Sequence, residues 1–162
     1  MLQELRPAQG SAASIQRFKV TPTVTAGAYS ANDVVGGSLQ FTGFKRGTLQ
    51  SITIIDKAAQ SVDYFIVFFE SQPTNIVDNG TFDIADADLD KIIYEDILTT
   101  AATRRAFTDN SYHFLYSLDI PLLGADSDIY AFLITTGTPT YAATSDVTVA
   151  LQVEVTGKRV GA

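Results

Sequence analysis

The chain has 162 residues, 46% of them hydrophobic and 18% charged, which is too apolar for a disordered polymer and enough to bury a core. It contains no cysteine, no tryptophan and one histidine. Disulfides, thiolate chemistry, cysteine-based zinc and a histidine-rich metal site within one chain are therefore excluded. A net charge of −7 argues against tracking nucleic-acid phosphates, and no apolar run approaches the ~20 residues that cross a bilayer.

Residues 1–14 are polar and rich in small residues, with Pro7 and Gly10, and read as a flexible N-terminal arm. They lack the hydrophobic segment of a secretory signal, so synthesis in the cytoplasm is expected. Residues 15–157 then read as one β domain, and 158–162 as a short basic tail.

Within the domain the dominant signal is a period of two, the mark of strands with one face in the core. Phe18 and Val20 alternate with Arg17, Lys19 and Thr21. Leu39 and Phe41 alternate with Gln40 and Thr42, and Ile52 and Ile54 with Ser51 and Thr53. Leu49 is out of phase, which predicts a bulge near Gln50. Val62–Phe69 is apolar on both faces after its start and reads as a strand buried on both sides, whose second face must meet a second layer, a loop or another subunit.

After Asp86, Leu89, Ile92 and Ile93 take helical spacing, and acidic residues fill the first turn. This predicts one short helix near residues 86–94. From 111 to 117, Tyr112, Phe114 and Tyr116 share one strand face, and Ser111, His113 and Leu115 the other. Ile129–Ile134 is again doubly apolar, and Val147–Val155 alternates most cleanly of all. Turn signals such as Gly36-Gly37, Asp78-Asn79-Gly80 and Gly137-Thr138-Pro139 separate the strands. The expected fold is an all-β, antiparallel β-sandwich, jelly-roll-like.

Candidate chemistry is sparse. Asp86, Asp88 and Asp90 mimic the opening of a calcium loop, with Asp83 beside them, but Lys91 and Ile97 stand where that loop needs glycine and glutamate. The four aspartates are the calcium candidates, and helix capping is their simpler role. No G-x-S-x-G accompanies His113, which reads as a half-exposed strand residue. Glycine pairs lie between strands and not before a helix, so turns explain them better than phosphate binding. The chain is read as non-enzymatic and without a cofactor.

The stretch Ala28–Phe41, AYSANDVVGGSLQF, resembles a recurrent opening in small structural proteins of tailed bacteriophages. Further similar pieces follow in order: Gly47-Thr48-Leu49 leading to Ile54-Ile55-Asp56, Phe68-Phe69-Glu70-Ser71-Gln72-Pro73, Phe82–Leu89, and Ile129–Leu133. Together they span about residues 28 to 156. The resemblance implies a virion protein of the head, a cement or decoration protein on the capsid exterior. Such proteins are β-rich and often trimeric.

The partners so implied are the major capsid protein and further copies of the chain, with neither nucleic acid nor membrane. Interface candidates are Tyr64, Phe65, Phe69, Tyr130 and Phe132 on the doubly apolar strands. Arg6, Arg17, Arg104 and Arg105 are cations available to an acidic partner. Three other readings stand beside this one: a tail, baseplate or fibre-attachment module; a carbohydrate- or receptor-binding sandwich using Tyr29, Tyr112, Tyr116 and Tyr141; and a small hydrolase.

Overall fold

The computed structural model describes residues 13–43 and 45–155. Arg6 and most of the predicted arm lie outside the described residues, as does the 158–162 tail. Ser14, the arm's predicted last residue, already belongs to the first strand. In chain order the strands are β1 (Ser14–Val20), β2 (Gly27–Ala28), β3 (Leu39–Thr42), β4 (Arg46–Asp56), β5 (Tyr64–Phe69), β6 (Ile92–Leu98), β7 (Arg104–Ala106), β8 (Ser111–Leu123), β9 (Asp128–Thr135), β10 (Thr140–Tyr141) and β11 (Val147–Val155).

Two antiparallel sheets pack face to face. One has the order β1-β11-β4-β8-β7 and the other β3-β9-β5-β6, with β10-β2 as a small third ladder. Among the eight longer strands, the first pairs with the last (β1 with β11), the second with the seventh (β3 with β9), the third with the sixth (β4 with β8) and the fourth with the fifth (β5 with β6). This nesting is jelly-roll connectivity. The sandwich edges close as well, with β1 beside β3 and β6 beside β8.

Alternation decides which side chains meet between the sheets. Val147, Val149, Leu151 and Val153 of β11 face inward beside Leu49, Ile52 and Ile54 of β4. Across the gap lie Leu39, Phe41, Ile66, Phe68, Ala131 and Leu133. Against β11 the register of β4 slips between Leu49 and Ser51, leaving Gln50 as the extra residue. The slip lets Leu49 rejoin the inward row, as its phase in the sequence requires.

On the outer face of the four-stranded sheet, the two central strands β9 and β5 are covered by the chain itself. Phe65, Val67 and Phe69 of β5 and Tyr130, Phe132 and Ile134 of β9 point away from the main core. Over them lie Val34, Ile76, Phe82 and Ile84 in a second apolar cluster. Phe82 meets Phe132 and Phe65 edge-on, at centroid separations of 6.0 and 6.3 Å. This corrects the subunit-interface expectation: Tyr64, Phe69 and Phe132 are buried within one chain, and Phe65 and Tyr130 half-buried. Within the chain, Val34 and the Ile76, Phe82 and Ile84 side chains of the β5–β6 connection meet the apolar surplus of these strands.

Asp78 holds that connection down. Its Oδ1 accepts from the Tyr29 hydroxyl at 2.7 Å and the Gly36 amide at 2.5 Å, and its Oδ2 from the Thr25 amide and hydroxyl at 2.6 and 2.7 Å. Gly36 is required there: its φ is +84°, and a Cβ would stand 2.3 Å from Pro22.

The predicted helix is shorter and tighter than expected. It is a 3₁₀ turn over Asp86–Lys91, and Ile92 and Ile93 belong to β6. Ala85 is the N-cap, with no side-chain cap bond, and Leu89 is exposed. The inward residue is Asp88, which accepts from the Thr74 amide at 2.7 Å and the Lys91 ammonium at 2.6 Å. Those two donors outweigh the pull of Leu89 toward the core.

Two substitutions test this arrangement. Phe132→Ala should cost about 4 kcal/mol of stability without altering the oligomeric state; a shift in sedimentation with unchanged melting would place Phe132 at a subunit contact. Asp78→Ala should cost about 3 kcal/mol, seen as a Tm lower by roughly 10 °C.

Candidate functional site

Two places concentrate chemistry, one inside the sandwich and one on its surface. The inner one surrounds His113, which is fully buried and not half-exposed as expected. The face of β8 carrying Ser111 and His113 turns inward, although the Ser111 hydroxyl and His113 Nε2 find no hydrogen-bond partner among the described residues. His113 Nδ1 lies 2.9 Å from the Thr103 hydroxyl, and its ring meets Tyr64 edge-on at 5.2 Å. The Tyr64 and Tyr141 hydroxyls are bonded to each other at 2.7 Å.

Asp56, also buried, accepts from the Ala58 and Gln60 amides at 2.8 Å each. Arg104 seals the cluster, donating to the carbonyls of Ala59 and Gln60 at 2.9 and 3.1 Å. Arg104 is thus spent on a turn of its own chain.

Burial, and secondarily the Arg104 charge, push the His113 pKa down to about 4; Asp63 and the Val62 backbone pull more weakly the other way. Burial raises Asp56 and Tyr64 above their ordinary values. A neutral histidine against a hydroxyl suggests general-base chemistry. But the ring has no exposed surface through which a substrate could reach it. The cluster is built like a polar core. Tyr29 and Tyr141, expected as exposed binding residues, are buried too, with both hydroxyls hydrogen-bonded.

The four calcium candidates do not converge. Asp88 turns inward to Thr74 and Lys91, which hold its carboxyl below the ordinary range, while Asp83, Asp86 and Asp90 are exposed. Among the described residues no group of three or more acidic or histidine side chains could hold a metal ion.

The surface site is the outer face of the five-stranded sheet. Directly paired residues point the same way, so the register defines its rows. One row runs Arg105, Tyr112, Ile55, Thr148; the next Phe114, Thr53, Ala150, Lys19; the third Tyr116, Ser51, Gln152, Arg17. Beyond the bulge the rows are Pro121, Thr48, Glu154, Ile15 and then Leu123, Arg46. Aromatic side chains thus stripe the Tyr112–Tyr116 part of β8, Thr53, Ser51, Thr148 and Ala150 put small residues between, and Lys19 and Arg17 line β1.

Beside the aromatic stripe lies a groove of about 460 Å³ lined by Thr53, Ile55, Asn110, Ser111, Tyr112 and Phe114. Phe114 and Tyr116 sit 5.5 Å apart with planes 30° from parallel, and Phe107 abuts Tyr112 at 6.0 Å. Tyr116 is 66% exposed and Phe107 53%. Next to Tyr116, Ser117 and Asp119 take left-handed backbone angles where β8 bulges away from β4.

Of the predicted interface residues, the structure brings Arg17 and Arg105 onto this face. Phe107, Phe114, Lys19 and Arg46 were missed. The shared face of Tyr112, Phe114 and Tyr116 was the available signal.

Comparison with protein-family models finds no match, and comparison with curated proteins finds none either.

Protonating His113 in place is unfavourable, so stability tied to it is complete above pH ~6.5, the ordinary histidine value, and is lost as pH falls towards 4. Asp56 works in the opposite direction, since its raised pKa favours the fold as pH falls. Comparing wild type with His113→Gln cancels the Asp56 contribution. Chemical denaturation from pH 7 to 4 should show wild type losing up to about 3 kcal/mol more than the variant. Parallel profiles would mean that His113 titrates normally in the fold.

Proposed function

We propose that this chain is a structural virion protein of a tailed bacteriophage, a decoration or cement protein that docks on the assembled capsid and bridges subunits of the major capsid protein. The observation that carries the reading is the asymmetry of the two outer sheet faces. One is covered over β5 and β9 by the chain's own loop; the other, among the described residues, is left uncovered and carries exposed aromatic and cationic side chains.

Aromatic and arginine side chains dominate the energetics of protein interfaces, and a sheet presents them with little entropy left to lose on docking. A ligand that binds only the assembled shell stabilises it by RT ln(1 + [L]/Kd) per site. Jelly rolls also recur in viral capsid domains, which raises the prior by analogy alone. The resemblance of the Ala28–Phe41 stretch to phage structural proteins points the same way.

A carbohydrate-binding module is the second reading. The specific observation favouring it is the Phe114–Tyr116 platform beside a groove that offers the Thr53 hydroxyl and the Asn110 amide, since flat aromatic faces and planar amides suit sugar rings.

Mass spectrometry of purified particles, from the phage whose genome encodes the chain, should find it in fixed ratio to the major capsid protein. Immunogold labelling should place it on heads; tail labelling would move it to a tail module. Tyr116→Ala should weaken occupancy on stripped heads by at least about tenfold, as loss of an interface anchor does. Particles lacking the chain, together with binding on a glycan array, would favour the second reading.

A further inference from the structure

The charge of −7 is not spread evenly. In the paired rows of the open face the side chains charged at neutral pH are Arg17, Lys19, Arg46 and Arg105, with Glu154 as the one carboxylate. All four cations are exposed. The opposite layer of the sandwich is the reverse. There the segment covering the four-stranded sheet exposes Asp83, Asp86 and Asp90, and β6 adds Glu95. Two aliphatic side chains stand out of the same segment, Leu89 at 54% and Val77 at 65% exposure. In the 3₁₀ turn the exposed Leu89 falls in sequence between the exposed Asp86 and Asp90, an apolar side chain with acidic neighbours.

The two surfaces are complementary in charge and in kind. One offers cations around an aromatic-lined groove, the other carboxylates around an aliphatic tip. We propose that the chain self-associates head to tail, with the open face of one copy receiving the Asp83–Asp90 segment of the next. The proposal rests on reading the open face as an assembly surface, but not on which particle it serves.

Because donor and acceptor surfaces lie on opposite layers of the sandwich, the contact is heterologous. It does not pair off under a two-fold axis; it generates a closed ring if the rotation closes and a filament if it does not. The magnitude is modest. From β1 to β8 the face spans three strand spacings, about 14 Å, and some 20 Å along the strands, which makes roughly 300 Å² against the ~800 Å² per partner of a standard stable interface. A single contact is therefore weak and depends on concentration and salt. Ring closure, or a shared lattice that holds neighbours in place, supplies the missing affinity through effective concentration.

Sedimentation velocity of the full chain, across a wide concentration range at low and high salt, tests this. Wild type should associate as concentration rises and dissociate as salt is added. R17E/K19E should shift to monomer, and so should D86K/D90K. Their combination, R17E/K19E/D86K/D90K, carries both patches with exchanged sign and should associate again. All four positions are exposed, so circular dichroism should show each variant folded.

Wild type that stays monomeric at low salt and high concentration would overturn the proposal. So would association that the paired reversals leave intact, or a fourfold variant that stays monomeric. Virion mass spectrometry separates this from the functional reading: a chain present on capsids yet monomeric in every variant sinks only the head-to-tail contact. A chain that associates as described yet is missing from particles sinks only the capsid role.

Discussion

The arrangement of the whole molecule depends on what one carboxylate can accept. Asp78 takes four hydrogen bonds from Tyr29, Gly36 and Thr25, all on the chain between β1 and β3. Buried and half-buried donors are costly to leave unpaired, so these groups fix Asp78 as firmly as it fixes them. The clamped segment lays Ile76, Phe82 and Ile84 over the aromatic rows of β5 and β9. Without the clamp the outer face of the four-stranded sheet would be an apolar surface needing another partner. With it, the molecule keeps one finished face and one open one.

The parts of the fold legible in the sequence were those with a local cause. Val147–Val155 alternates because each inward residue must meet the core, and the period of two is visible without knowing the partner strand. The phase error at Leu49 announced its bulge for the same reason. The 3₁₀ turn was half legible: acidic residues marked the place, but the buried role of Asp88 depends on Thr74, fourteen residues earlier, and local spacing carries no trace of that contact. The cover over β5 and β9 was not legible at all. Ile76, Phe82 and Ile84 follow no period, and a loop that packs apolar side chains looks in sequence like any other loop. The surplus of Val62–Phe69 is legible as a face that needs a second layer, a loop or another subunit, but which of these meets it is not.

The surface site shows the same limit in another form. Tyr112, Phe114 and Tyr116 were seen to share a face, yet hydrophobicity alone does not say which face of β8 meets the core. The answer lies in long-range partners: Thr103 for His113 Nδ1, and the paired hydroxyls of Tyr64 and Tyr141 close by. Composition was also silent on charge distribution. A total of −7 hides a face on which cations outnumber carboxylates, because only the register brings Arg17 beside Gln152 and Arg105 beside Tyr112.

The nested pairing of the strands bears on how the protein comes into being. β1 is made early and β11 late, yet they are neighbours, Ser14 opposite Val155. At ribosomal speeds the first strand waits on the order of ten seconds before its only ladder partner exists. During that interval β5, one of the most apolar stretches of the chain, has left the ribosome, while the β9 strand that will sit beside it has not yet been made. The sandwich therefore closes only once β11 has been made. Its long-range pairings make it a slow folder by topology, and its soluble yield will depend on chaperone capacity and temperature during expression more than on the final stability of the fold.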